Sequence, residues 1–229
     1  MITDQQGTAL ARVQQELTER GYAVVSDTDL GLDLEIRRHI VQNYFTEKVL
    51  QSDHPAVHQD RDRARDVIRY AWDGDHLHVR EHDRIDIINR SGFAGSRTPN
   101  RARLLDEVPM ETWVRAMIAL IPPHRRQKEG TFGVNFMRTR TTVVSGPHHD
   151  DEEYVIVYVA DKYGEGAETT LHDVDDPSKV VLQVTLAPGD LIVFRDADYL
   201  HNASPLTGDH AQRDALVCTV NYPETYPLP

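Results

Sequence analysis

From residue 131 onward the chain alternates short apolar, β-branched runs with turn residues, and this pattern limits most strongly the folds open to it. The runs cover 132–138, 154–160, 168–172, 180–186, 191–194 and 215–222, punctuated by turns at Gly164-Glu165-Gly166 and Pro188-Gly189-Asp190. Ahead of them lie helical signals. Leu10, Val13 and Leu17 recur at helical spacing before Gly21, 30–45 reads as a second helix, and 110–121 as a third, ended by Pro122-Pro123. Short strands are expected at 22–25, and at 67–70 and 85–88 on either side of the Asp73-Gly74-Asp75 turn. Helices first and many strands after predict a mainly β fold with flanking helices. The expected core is a helix-buttressed β-sandwich or jelly roll, not a parallel α/β sheet. Nothing in the composition marks a linker, so 1–229 is read as one domain: 1–125 as helical buttress and first strands, 131–222 as the β-core with the functional site.

Inside that β-core lie His148-His149-Asp150, His201 and Arg213. A histidine and a carboxylate two apart on extended backbone point the same way, so one strand end can present both to one ion. His201, just past the 191–194 run, adds a second imidazole. Two histidines and one carboxylate suit Fe(II), because they leave coordination positions open for an oxidant and a co-substrate. Arg213 offers a planar fork for a distal carboxylate such as that of 2-oxoglutarate. Most of the 12 histidines sit in polar surroundings that surface positions explain; the setting at strand ends singles these out. His149 and Asp151 share the spacing of His148 and Asp150, and a one-residue slip would turn that other pair inward.

Charge narrows the partners. With 37 acidic against 25 basic residues the net charge is −12, a surface that repels phosphate backbones, so no nucleic acid is expected. No run approaches the roughly 18 apolar residues of a spanning helix, so no membrane partner is expected. The N-terminus is polar and acidic and lacks the pattern of a signal peptide. The lone cysteine, Cys218, lies in an apolar run and reads as a buried thiol. A cytoplasmic location, whose reducing conditions suit Fe(II), is expected.

These residues carry a resemblance. The chain resembles the Fe(II)/2-oxoglutarate-dependent dioxygenases, and among them the free L-amino-acid hydroxylases typified by L-isoleucine 4-hydroxylase. The matching stretches are Arg63-Ala64-Arg65 with Arg69-Tyr70, residues 133–138, His148-His149-Asp150-Asp151-Glu152, residues 164–170, His201-Asn202-Ala203-Ser204-Pro205-Leu206, and Arg213-Asp214-Ala215-Leu216-Val217. They span about 21–222, nearly the whole chain. The resemblance implies a double-stranded β-helix (a cupin-like jelly roll) of two facing sheets with iron at the open end, His148, Asp150 and His201 as ligands, and Arg213 on the far carboxylate of 2-oxoglutarate. It also implies O2 as oxidant, hydroxylation of an unactivated C–H bond, and release of succinate and CO2.

For a free amino acid, Asp151, Glu152 or Glu153 could hold the ammonium, and Arg65 or Arg69 the carboxylate. Arg138 or Arg140, two apart on one strand, could line the cavity, with Tyr70, Trp72 and Tyr154 as walls. The plainer readings are a solvated acidic turn, a surface ion-pair face and ordinary core aromatics. Tyr154 and Asn202 depart from the typical pattern where a substrate side chain would lie, so isoleucine is not carried over as substrate. Two other readings compete: a cupin-like metalloenzyme that does not use 2-oxoglutarate, and a non-catalytic jelly-roll sensor of small molecules. A homodimer is compatible with any of these.

Overall fold

The computed structural model describes residues 4–52, 61–82, 101–140 and 146–222. The expected strand at 85–88 lies outside them. Helix α1 (Asp4–Arg20) buries Val13 and Leu17 and stops at Gly21, whose φ of 75° is the left-handed conformation that a helix end favours in glycine. A Cβ there would come within 2.7 Å of the Asp198 carboxylate, and the Gly21 carbonyl accepts from the Arg195 amide at 2.9 Å. The helix end is thereby fastened to the turn that leads to His201. Strand β1 (Tyr22–Ser26) follows. The second helix, α2 (Leu34–Tyr44), is shorter than the 30–45 expected, because Asp33 caps it by accepting from the Glu35 amide at 2.9 Å. Helix α3 (Val108–Ala119) carries Pro109 in its first turn and buries Met110, Trp113, Val114, Met117 and Ile118. Among the described residues no helix is long and apolar enough to cross a membrane.

The remaining strands are β2 (Gln51–Ser52), β3 (Arg61–Asp73), β4 (His76–Glu81), β5 (Glu129–Thr139), β6 (Tyr154–Gly166), β7 (Thr169–Asp173), β8 (Val180–Val184), β9 (Asp190–Arg195), β10 (Tyr199–Ala203) and β11 (Leu206–Asn221). The larger sheet runs β1-β9-β6-β11-β5-β3-β2, with β4 also on β3, and the smaller runs β10-β7-β8; all pairings among these strands are antiparallel. This is the mainly β jelly-roll architecture expected.

Register assigns the two faces of the larger sheet. Arg65, Asn135, Val217, Val157, Ile192 and Val24 form one row across β3, β5, β11, β6, β9 and β1. Directly paired residues share a face. On that face Val155, Val157, Val159, Ile192 and Phe194 pack with Leu171 of the smaller sheet. The opposite face, with Ile68, Phe132, Phe136, Tyr158 and Leu216, packs under the helices. Strand β6 reads as apolar throughout 155–159 because both of its faces are covered.

Several strands differ from expectation. Strand β6 continues through Gly164 and Gly166, both at positive φ, so the chain turns at 167–168 instead. Strand β11 begins at Leu206, well ahead of the expected 215–222 run, so Arg213 lies well inside it. Strand β10, which carries His201, has no β-branched residue and gave no local signal.

Beneath β3 a buried ion cluster holds residues 101–105. Asp66, 1% exposed, accepts from Arg101 Nε at 3.0 Å and from the Leu104 amide at 2.7 Å. Glu81 accepts from the second arm of Arg101 at 2.7 Å and from the Leu105 amide at 2.8 Å. Burial raises Asp66 to about 6, against the lowering effect of its hydrogen bond from Leu104. A folded value above the unfolded one makes this carboxylate's contribution to stability fall as pH rises from its usual range towards 6, and level off above. Arg101→Ala is therefore expected to destabilise the fold by about 3 kcal/mol at pH 8, where Asp66 is ionised, and by clearly less at pH 5. Urea denaturation at the two pH values checks this; an equal loss at both would contradict it.

Candidate active site

His148 and His201 form an isolated antiparallel bridge, each amide donating to the other's carbonyl, at 3.1 and 2.9 Å. The bridge sets the two rings side by side, centroids 4.5 Å apart. Two residues beyond His148, Asp150 turns its carboxylate between them: Oδ1 lies 3.7 Å from His148 Nε2 and Oδ2 lies 3.5 Å from His201 Nε2. One ligand atom from each of the three lies within 4.8 Å of the others, a cluster that could hold a metal ion. His148 Nδ1 lies 2.9 Å from the Gly146 carbonyl, and donating to it leaves the Nε2 lone pair facing the cluster. His201 is 9% exposed and packs against Phe194, ring centroids 5.0 Å apart and planes tilted by 56°. Burial lowers its pKa against the pull of Asp150, which favours the neutral imidazole that a metal requires.

The other register is not the one formed. His149 Nδ1 donates instead to the Asp196 carbonyl at 2.6 Å. Asp151 adopts φ 62°, a left-handed conformation that aspartate tolerates, and this swings the chain round after Asp150. Beyond it the Glu152 amide donates to Asp196 Oδ2 at 3.0 Å, and the Glu153 amide to the Val220 carbonyl at 3.1 Å. Asp151 is exposed and Glu152 half-buried, both in the loop that carries Asp150.

Arg213 pairs with Thr139 of β5 and Lys162 of β6, and its place in the β11 ladder puts it on the face of Val217, between the sheets. Its Nε and Nη2 are buried with no hydrogen-bond partner among the described residues. Burial alone lowers the guanidinium to about 10, so it stays charged at neutral pH. A buried cation whose donors point at no acceptor suits an anion.

Arg65 and Arg69 lie on the same face of the sheet, in line with Asn135 and Val217, and with Thr131 and Asn221. Arg69 Nε is buried and has no hydrogen-bond partner among the described residues. Arg138 does not line this face. It pairs with Asp214, one step along from the Arg213–Thr139 pair, and strand alternation turns it to the helix side. There Nε and Nη2 grip the two Asp214 oxygens at 2.8 and 2.6 Å, and Nη2 also donates to the Phe45 carbonyl at 2.8 Å. Tyr70 and Tyr154 are likewise buried in the helix-side core, and Trp72 packs against it beneath the Arg126 guanidinium. Asp196 was not singled out in the sequence, yet it touches every segment of the cluster, and no local sequence feature marks it.

Among known proteins, the family described as 2OG-Fe dioxygenase matches residues 50–219. No curated protein matches. Among solved structures, a bsmA homolog from Methylobium petroleophilum superposes with TM-score 0.74 at 20% identity, covering 94% of this chain and 92% of that one. The Fe(II)/(alpha)ketoglutarate-dependent dioxygenase TqaL gives 0.71 at 14%, covering 96% and 90%. IDO from Bacillus thuringiensis gives 0.67 at 17%, covering 93% and 98%. At these identities the superpositions establish a shared fold, whereas the family match covers most of the sequence. The chain belongs to the 2OG-Fe dioxygenase family.

Proposed function

We propose that His148, Asp150 and His201 hold Fe(II), that Arg213 binds the far carboxylate of 2-oxoglutarate, and that the enzyme hydroxylates an unactivated C–H bond of a free L-amino acid or a close derivative. Use of Fe(II), 2-oxoglutarate and O2 comes with the family; the role of each residue and the substrate class are the proposal. The observation that carries it is the meeting of one ring nitrogen from each histidine and one Asp150 carboxylate oxygen within 4.8 Å. The donor set fits Fe(II), since two imidazoles and a carboxylate leave positions free. The partnerless Nε and Nη2 of Arg213, buried on the same inter-sheet face, fit a carboxylate. When bound, iron with 2-oxoglutarate and O2 supplies an oxidant that hydroxylates the substrate while the keto acid becomes succinate and CO2.

The chain's own residues bind and orient. Asp150 offsets cationic charge between the two imidazoles, and Arg213 fixes the keto acid at its distal end. Arg65 and Arg69 are assigned to the substrate carboxylate because they share the Arg213 face. Asp151 or Glu152, in the loop carrying Asp150, is assigned to the ammonium. Arg138 is withdrawn from the substrate contacts, since Asp214 occupies it. The cupin-like alternative would bring a third histidine to the metal, and among the described residues none joins the cluster.

The test is a screen of the twenty amino acids and simple derivatives for succinate formation by the Fe(II)-loaded protein. Succinate release coupled to a few related amino acids is expected. Coupling to none of them, with iron bound, would contradict the substrate class.

A further inference from the structure

Asp196 opens the 3₁₀ turn Asp196–Asp198 between β9 and β10, and it is 1% exposed. Three of its groups already serve the site. Its carbonyl accepts from His149 Nδ1 at 2.6 Å, its Oδ2 from the Glu152 amide at 3.0 Å, and its amide donates to the Glu153 carbonyl at 3.3 Å. The fourth, Oδ1, is buried without a hydrogen-bond partner, and so is His201 Nδ1. These two atoms face each other at 3.6 Å, just beyond hydrogen-bond range. His149 Nδ1 is 4.0 Å from the same Oδ1, but its proton is already directed to the Asp196 carbonyl. Leaving both a buried carboxylate oxygen and a buried imidazole nitrogen unpaired is costly, and a shift of about half an ångström would satisfy both.

We propose that Asp196 is a positioning residue: its Oδ1 accepts the Nδ1 proton of His201, which fixes the His201 lone pair on Nε2, the atom that faces Asp150. The same carboxylate holds, through the Glu152 amide, the loop that brings His148 and Asp150 to His201. One buried side chain therefore sets both the tautomer of one ligand and the approach of the other two. The inference rests on the reading of these three residues as iron ligands.

Asp196→Asn tests it with little change of shape. The asparagine oxygen can still accept from the Glu152 amide, which leaves the amide NH2 facing His201 Nδ1. The imidazole must then accept there, and its proton moves to Nε2, as happens when an aspartate behind a catalytic histidine is made asparagine. Imidazole 15N–1H spectra of the metal-free proteins are expected to show His201 protonated at Nδ1 in the wild type and at Nε2 in the variant. Calorimetry with Zn(II) as probe should show affinity weakened by about 10–100-fold. The wild-type spectrum alone decides the matter if the variant does not fold: a His201 protonated at Nε2 there overturns the proposal. An unchanged tautomer in a folded Asp196→Asn protein also overturns it. Inversion of the tautomer with unchanged Zn(II) affinity would support the Asp196–His201 contact and remove His201 from the ligand set.

Discussion

Asp150→Ala is expected to reduce substrate-coupled succinate formation to background, even with Fe(II) and 2-oxoglutarate in excess. Asp150 supplies the one carboxylate in the described cluster, 3.7 and 3.5 Å from the two Nε2 atoms. Without it two imidazoles remain, with no anionic donor to offset the ion's charge. The loss should exceed the roughly 10–100-fold that removing a residue behind a ligand costs, because the proposed ligand itself is gone. Asp150 stands in a loop and is not part of the buried core, so the protein should stay folded. Circular dichroism beside the activity assay separates loss of the site from loss of the fold. Turnover within a fewfold of wild type would contradict Asp150 as a ligand.

Arg213→Ala is expected to raise the 2-oxoglutarate requirement steeply while iron binding is kept. The guanidinium is charged, its Nε and Nη2 are buried, and neither has a partner among the described residues. A dicarboxylate seated against it would form a desolvated, forked ion pair. Truncating one side of such a pair costs about 2–5 kcal/mol, or on the order of 30- to several thousandfold in affinity. Titrating 2-oxoglutarate under steady-state turnover measures the effect. An unchanged requirement would take Arg213 out of that role. Lys162, its neighbour on β6, does not substitute, because its ammonium donates to the Gly166 carbonyl at 2.6 Å.

Much of this arrangement was legible in the sequence, and what was hidden depended on register. The strand at 154–160 announced itself because burial on both faces demanded an unbroken apolar run. His148 and Asp150 were readable because their spacing of two is a local feature, and His201 because it follows the apolar 191–194 run. Strand β3 was harder: Arg61 to Arg69 alternates arginines with Asp66, Ala64 and Ile68, and the charge concealed a period of two. Arg138 was misplaced for a related reason. Its direction follows from pairing with Asp214 across 76 positions, and only that register shows it facing away from Arg213. Strand β10 is held by pairing with β7, which no property of Tyr199-Leu200-His201-Asn202-Ala203 discloses. Asp196 was hidden in the polar run Arg195-Asp196-Ala197-Asp198, where only the fold distinguishes the buried aspartate from its half-exposed neighbour Asp198.

Anaerobic Fe(II) titration of the wild type, His148→Ala and His149→Ala is the most direct test of which imidazole faces the metal. His149 spends its Nδ1 proton on the Asp196 carbonyl, so His149→Ala should still bind Fe(II) stoichiometrically, as the wild type does, while His148→Ala should not. Loss of iron by His149→Ala together with retention by His148→Ala would contradict the site described here.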